Sequence, residues 1–331
     1  MSARALYDQA IAAHRSGELA QAERLYRQVL EGAPSSFAAR HMLGVLKAQT
    51  GAPAEALELI GAALALKPDA PDALFNYANV LKGVGRTDEA LAAYERALAV
   101  RPDYPAAQAA AEQTRGLLAE ALNRSGNDLR AAGHAQEALA DYERALMLAP
   151  HYADALNNRA VALWGLGCFE DAVAGFDAAL AARPDYVEAH YNRGNTLRDM
   201  LRLDEAKQSF DRAIALDADF APAYRNKGFC ALLQGDFAQG LPLYEWRKRL
   251  SPPIEGRAYP QPLWTGAQDV RGKTLFLYSE QGMGDAIQFY RFVAPLLARG
   301  ARVVLSVQDP LLRLLQNASP KGGWWAPASC R

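Results

Sequence analysis

Two groups of residues stand out by type and spacing. Asn158, Asn192 and Asn226 follow one another at intervals of 34 residues. A carboxamide offers two N–H donors and a carbonyl acceptor, the set needed to hold both the C=O and the N–H of an extended peptide. One such bond contributes only about 0.5–1.5 kcal/mol net, so a grip of this kind needs several amides in a row. The second group is Gly282-Met283-Gly284-Asp285. Its glycines let backbone N–H groups approach an anion, and its carboxylate stands where a helix begins. Other chemistry is poorly provided for. The five histidines are scattered, with no His-Glu-x-x-His, no cysteine pair at metal spacing and no Gly-x-Ser-x-Gly, so no metal ligand set is expected.

The asparagines are positioned by a repeating unit. Gly17, Ala22, Tyr26, Val29 and Pro34 recur 34 residues on as Gly51, Ala56, Ile60, Ala63 and Pro68, and again as Gly85, Ala90, Tyr94, Ala97 and Pro102. After an interruption come Gly133, Ala138, Tyr142, Ala145 and Pro150, then Gly167, Ala172, Phe176, Ala179 and Pro184. A sixth unit keeps Ala206, Phe210 and Ala213 but has Leu201 for the glycine and Ala218 for the proline, and a seventh keeps Gly235, Tyr244 and Pro252. Small residues let helix axes approach, the aromatic fills the gap, the glycine ends the first helix of each unit in a left-handed conformation, and the proline stops the second. This pattern resembles the tetratricopeptide repeat (TPR). A fixed period of this length implies an all-α solenoid, in which neighbouring units must stack to bury their apolar faces.

The expected organisation is a TPR solenoid over residues 3–252, with repeats near 3–36, 37–70, 71–104, 119–152, 153–186, 187–220 and 221–252. The third-to-fourth step is longer by the fourteen residues 105–118, rich in helix formers. They are readable either as a lengthened first helix or as a degenerate half-repeat. Counting from 71, 119, 153, 187 and 221, sixth positions are Asn76, Arg124, Asn158, Asn192 and Asn226, and ninth positions include Asn79, Asn127 and Asn195. Sixth and ninth positions share one side of a helix. These seven asparagines are therefore the candidate peptide-binding row on the concave face, interrupted at Arg124 and absent from the first two units, where Asp8 and Met42 stand.

The formal net charge of −1 and sequence pI near 6.5 argue against nucleic acid as a partner. No apolar run suits a signal peptide or a membrane span. Three widely separated cysteines, Cys168, Cys230 and Cys330, fit a reducing, cytoplasmic setting without disulfides.

Residues 253–272 are rich in proline and glycine and read as a linker. In 273–316 an apolar strand (274–278), a helix (285–298), a second strand (301–307) and a second helix (310–316) make a βαβα run, the start of a parallel sheet. Residues 317–331 read as an irregular tail. Ile287 stands where a dinucleotide fingerprint needs its third glycine, and Ala267 spoils a P-loop reading of Gly272-Lys273-Thr274. Asp285 has a plain reading as a residue that opens a helix.

The succession GDFAQGLPLYEWR (235–247), PLWTG (262–266), GKTLFLYSEQGMGDAIQFYRF (272–292) and GARVVLSV (300–307) closely resembles bacterial TPR-containing glycosyltransferases. There a solenoid leads into a two-Rossmann-domain catalytic region similar to heptosyltransferases and, distantly, to O-GlcNAc transferase. The resemblance implies that Asp285 is the general base for an acceptor hydroxyl, with Gly282 and Gly284 shaping its turn. It also implies a nucleotide sugar as donor only in a complete enzyme, so no cofactor is expected of this chain. Against that pattern, the first Rossmann domain is expected to break off and the second, donor-binding domain to be missing. The expectation is a protein-binding module with an incomplete catalytic region, inactive alone and completed, if at all, by a catalytic half in trans. The alternative is a stand-alone scaffold with a vestigial C-terminal piece.

Overall fold

A computed structural model describes residues 2–250, 260–279, 282–318 and 324–327. Residues 253–259 of the linker, Glu280 and Gln281 of the glycine turn, and Cys330 with most of the tail lie outside the described residues. The chain divides into two compact units, Met1–Asp219 and Phe220–Arg331.

The first unit is a succession of antiparallel helical pairs: α1 (Ala3–Arg15) with α2 (Leu19–Gly32), α3 (Phe37–Gln49) with α4 (Pro53–Leu66), α5 (Pro71–Gly83) with α6 (Thr87–Val100), α7 (Pro105–Ala131) with α8 (Ala135–Leu148), α9 (Ala153–Gly165) with α10 (Phe169–Ala182), and α11 (Val187–Asp199) with α12 (Leu203–Leu216). Ala22, Ala56, Ala90, Ala138, Ala172 and Ala206 are fully buried, and the ring or branch four residues on is also enclosed: Tyr26, Ile60, Tyr94, Tyr142, Phe176 and Phe210. Every first helix ends the same way. Gly17, Gly51, Gly85, Gly133 and Gly167 adopt φ between 80° and 87°, and the next residue donates back to the carbonyl five positions earlier, as in Glu18 N to Ala13 O at 2.9 Å. In the sixth pair Leu201 takes the same left-handed turn at φ 59°. That pair also ends its second helix at Leu216 with no proline following at the place of Pro184, so the stop does not depend on that residue.

The fourteen extra residues are helical and continuous with the first helix of the fourth pair, giving α7 a length of 27 residues. Its two halves do different work. The third residue of α3, α5, α9 and α11 (Ala39, Ala73, Ala155 and Ala189) is fully buried; in α7 that burial belongs to Ala107, whereas Ala121, third in the count from 119, is exposed. Ala111 packs with Ala90, Leu91 and Tyr94 of the pair before. The second half faces forward: a Cβ on Gly126 would lie 2.6 Å from the Tyr142 ring, and Ala119 and Leu122 pack with Ala145 and Ala155. The lengthened helix and the half-repeat are thus one object, a first helix whose backward and forward contacts have been drawn apart.

The second unit opens with α13 (Ala221–Leu233) and α14 (Phe237–Tyr244), then a 3-10 turn over Glu245–Arg249. Trp246 stacks on Tyr224 with centroids 3.7 Å apart, Arg249 lies over Trp246 at 4.1 Å, and Arg247 is buried beside Glu245. Then come β1 (Thr274–Tyr278), α15 (Met283–Tyr290), α16 (Val293–Ala298), β2 (Arg302–Val307), α17 (Asp309–Ala318) and β3 (Trp324–Pro327), with all strands parallel in the order β1-β2-β3. Two expectations change here. The single helix over 285–298 is broken at Arg291-Phe292, because Pro295 has no N–H for the Arg291 carbonyl and its ring crowds that carbonyl. The tail is not wholly irregular: Trp324–Pro327 pairs with Val304–Val307, since a parallel rung needs only a free strand edge and not an alternating sequence. Val270, Val293, Leu296, Ala301 and Val303 form a core around β2, and Val307 packs with Leu311 and Leu315.

Candidate functional site

The sixth-position amides do not stand alone. Asn192 Nδ2 donates to Asn157 Oδ1 at 3.2 Å, Asn157 Nδ2 to Asn158 Oδ1 at 3.3 Å, and Asn158 Nδ2 to Asn123 Oδ1 at 3.0 Å, with Asn123 Nδ2 3.5 Å from the Tyr152 hydroxyl. This relay joins the fifth position of one pair to the sixth of the next, a spacing of 35 residues. Asn76 makes the same link to His41, Nδ2 to Nε2 at 3.0 Å, which requires the ring tautomer that carries its proton on Nδ1. Asn123, Asn157 and His41, all buried, belong to this hydrogen-bonded line and were missed by reading the sixth and ninth positions alone. The signal was available as polar pairs 35 residues apart.

Ninth-position amides are engaged within their own pair. Asn79 Oδ1 accepts from the Tyr94 hydroxyl at 2.5 Å and Asn127 Oδ1 from Tyr142 at 2.8 Å. Burial pushes both phenols above their usual range, so they stay protonated donors. Phe210 has no hydroxyl to offer Asn195. Asn226 belongs to the second unit and is buried, its Oδ1 accepting from Arg225 Nε at 3.0 Å.

A second line of links runs one to two turns further along the first helices: His14 Nε2 to Gln49 Oε1 at 2.8 Å and Trp164 Nε1 to Asp199 Oδ2 at 2.9 Å, each again 35 residues apart. The carboxylates at the second position are committed elsewhere. Arg101 forks onto Asp72 and Arg183 onto Asp154, at 2.9 and 3.1 Å in both cases, and the two guanidiniums lie over Tyr104 and Tyr186 respectively. The guanidinium hydrogen bonds hold both carboxyl groups below the ordinary aspartate range, which removes them as proton carriers near neutrality.

In the second unit Asp285 is exposed in the first turn of α15, whose N-cap is Gly282. A Cβ on Gly282 would meet Asp285 Oδ2 at 3.8 Å, and Gly284 faces open space. The turn follows the C-terminal end of β1. Among the described residues no group of three or more His, Cys, Asp or Glu side chains is arranged for a metal, and no helix is long and apolar enough to cross a membrane.

Antiparallel helical pairs with a 34-residue period, bonded pair to pair through polar side chains, define a helical-repeat solenoid. Tetratricopeptide repeat family models match residues 7–71 and 162–199, 47–114, 126–167 and 187–220, and the chain is a tetratricopeptide repeat protein. No curated protein matches it. Similar solved structures include the first TPR of Spaghetti (RPAP3) bound to an HSP90 peptide, at 24% identity and TM-score 0.36, covering 36% of this chain and 95% of that one. YrrB, a TPR protein with an unusual peptide-binding site, is 21% identical with TM-score 0.31, covering 61% and 97%. A tetratricopeptide repeat protein from Parabacteroides merdae is 18% identical with TM-score 0.35, covering 75% and 92%. Likeness at this level does not bear on this chain's partners, and the family rests on the repeat matches.

Proposed function

We propose that the helical repeats hold an extended polypeptide by its main chain, along a concave face lined by Asn76, Asn79, Asn127, Asn158, Asn192 and Asn195. The observation that carries this reading is the relay from Asn192 through Asn157 and Asn158 to Asn123. Each inner amide spends one N–H and one lone pair on its neighbours and keeps one of each. The relay pre-orients the remaining groups, so little side-chain entropy is lost on binding. Gripping main chain rather than side chains gives recognition tolerant of sequence.

The test is calorimetric titration of unstructured peptides into the full chain and into an Asn158→Ala/Asn192→Ala variant, with thermal melts in parallel. Loss of two to four hydrogen bonds predicts affinity weaker by about tenfold or more. An unchanged affinity in a folded variant removes the reading.

The C-terminal unit is read as the opening of a heptosyltransferase-like, Rossmann-type region. What supports this is the all-parallel order β1-β2-β3 with Gly282, Gly284 and Asp285 at the carboxyl end of β1, where parallel sheets hold their ligands. Asp285 is then the general base toward an acceptor hydroxyl, and a nucleotide sugar is the donor once a second domain is present, in the same chain or in trans. Turnover of nucleotide sugars is measured for the full chain alone, where none is expected, and with candidate catalytic halves. An Asp285→Asn chain as active as its parent in the completed enzyme rejects Asp285 as the base, whereas absence of turnover with every catalytic half leaves a scaffold that binds polypeptide without catalysis.

A further inference from the structure

The drawn-out helix α7 leaves much of one face of its second half open in the first unit, with Ser125 Oγ donating to Asp141 Oδ2 at 2.6 Å and Leu129 packing toward Tyr142 along its border. Fourteen residues turn an α-helix to within about 40° of the same face and advance it about 21 Å. Ala121, Ser125, Asp128 and Ala132 therefore continue the line of Ala107, Ala111, Thr114 and Leu118. Ala107, Ala111 and Thr114 are buried at the contact with α6, whereas Ala121, Arg124, Ser125, Asp128, Leu129 and Ala132 line an open surface. The bare stretch is thus the continuation of an interface the molecule already uses. Its exposed charges are the pair Arg124 and Asp128, one turn apart, and neither makes a side-chain hydrogen bond or ion pair among the described residues.

We propose that this face docks on the same face of a second copy of the chain, as an antiparallel two-fold pair of α7 helices. The arrangement of charges commits the occupant. A two-fold axis crossing the open side of α7 at the level of Gly126 sets Arg124 of each copy against Asp128 of the other, so both charges are answered by one symmetry operation. Ala121 and Ala132 fall at the two ends, where short side chains let the helix backbones close up. The step between the third and fourth pairs leaves room for the other copy's step, so the two molecules interlock. Arg124 also receives a reason for breaking the asparagine row: no preceding pair lies against its half of α7, and a long cation reaching outward replaces the amide reaching back.

Sedimentation or light scattering of the full chain over a dilution series tests this. The parent is expected to show a concentration-dependent dimer. Arg124→Asp alone, or Asp128→Arg alone, sets like charges together and weakens it by at least tenfold in dimer Kd. The double variant Arg124→Asp/Asp128→Arg restores it, and also serves as the folding control because it carries both substitutions. A parent that stays monomeric throughout, a dimer indifferent to either single reversal, or a double variant that fails to recover overturns the proposal.

Discussion

Asn192 Nδ2 donates to Asn157 Oδ1 at 3.2 Å, tying the sixth position of one helical pair to the fifth position of the pair before it. Asn157 is buried, and its own Nδ2 is spent on Asn158, so one side chain anchors both neighbours. Asn157→Ala leaves Asn192 short of its acceptor and Asn158 short of a donor. The expected cost is about 1–3 kcal/mol, read as a lower urea midpoint. A midpoint equal to the parent's means that water replaces the amide without loss.

Leu201 occupies the left-handed turn that glycine holds in the other pairs of the first unit, and its side chain is 74% exposed. A side chain in that region costs about 1–2 kcal/mol, whereas glycine loses somewhat more unfolded-state freedom. Leu201→Gly is therefore expected to stabilise the chain by about 0.5–1 kcal/mol. A lower melting temperature for the variant shows instead that Leu201 packs in a way that outweighs its backbone.

Gly194 lies under Phe210, and a Cβ there would stand 2.6 Å from the ring. Gly194→Ala forces the ring or the helix to move and is expected to destabilise by about 1–3 kcal/mol. Ala78 holds the same position opposite Tyr94, so the penalty belongs to the closer approach of α11 and α12 and not to alanine as such. A thermal melt of Gly194→Ala beside Ala78→Gly separates the two. Equal melting points for Gly194→Ala and the parent contradict the close contact.

His41 is 8% exposed, packs on Phe37 and accepts from Asn76. Burial pushes its imidazole below the usual range, against the opposing pull of the Asp72 carboxylate. The unfolded chain then takes up the proton first. The stability due to the neutral ring is complete above the unfolded value of about 6.5 and is lost as the pH falls from there through the lower folded value. The denaturation midpoint of the parent should drop more between about pH 8 and pH 5 than that of His41→Asn. Parallel pH profiles are the outcome that rules this out.

The anchors of the repeat were legible because each acts locally. A glycine at a helix end, a small residue under a ring and the ring itself leave their mark at a constant spacing whatever lies farther away. The amide row was only half legible. Sixth and ninth positions share a helix side, which groups Asn158 with Asn127, but the two kinds of amide serve different partners. Asn127 answers Tyr142 within its pair, and Asn158 answers Asn123 across a boundary. The break in the helix before Pro295 was readable from the proline, whereas β3 was not, because its pairing depends on the free edge of β2 and not on any pattern in its own residues.

From the chain alone came the period, the helical pairing, the glycine turns and the place of Asp285 at the opening of a helix, since all are settled by contacts within a few residues or by one repeated interval. Tertiary structure alone decided what fourteen extra residues do. Whether Ala107 or Ala121 is covered depends on where α6 ends in space, and two stretches of similar composition can differ completely in what lies against them. It also decided that the asparagines form a bonded relay, because a hydrogen bond between residues 35 apart exists only once stacking has brought the two helices together.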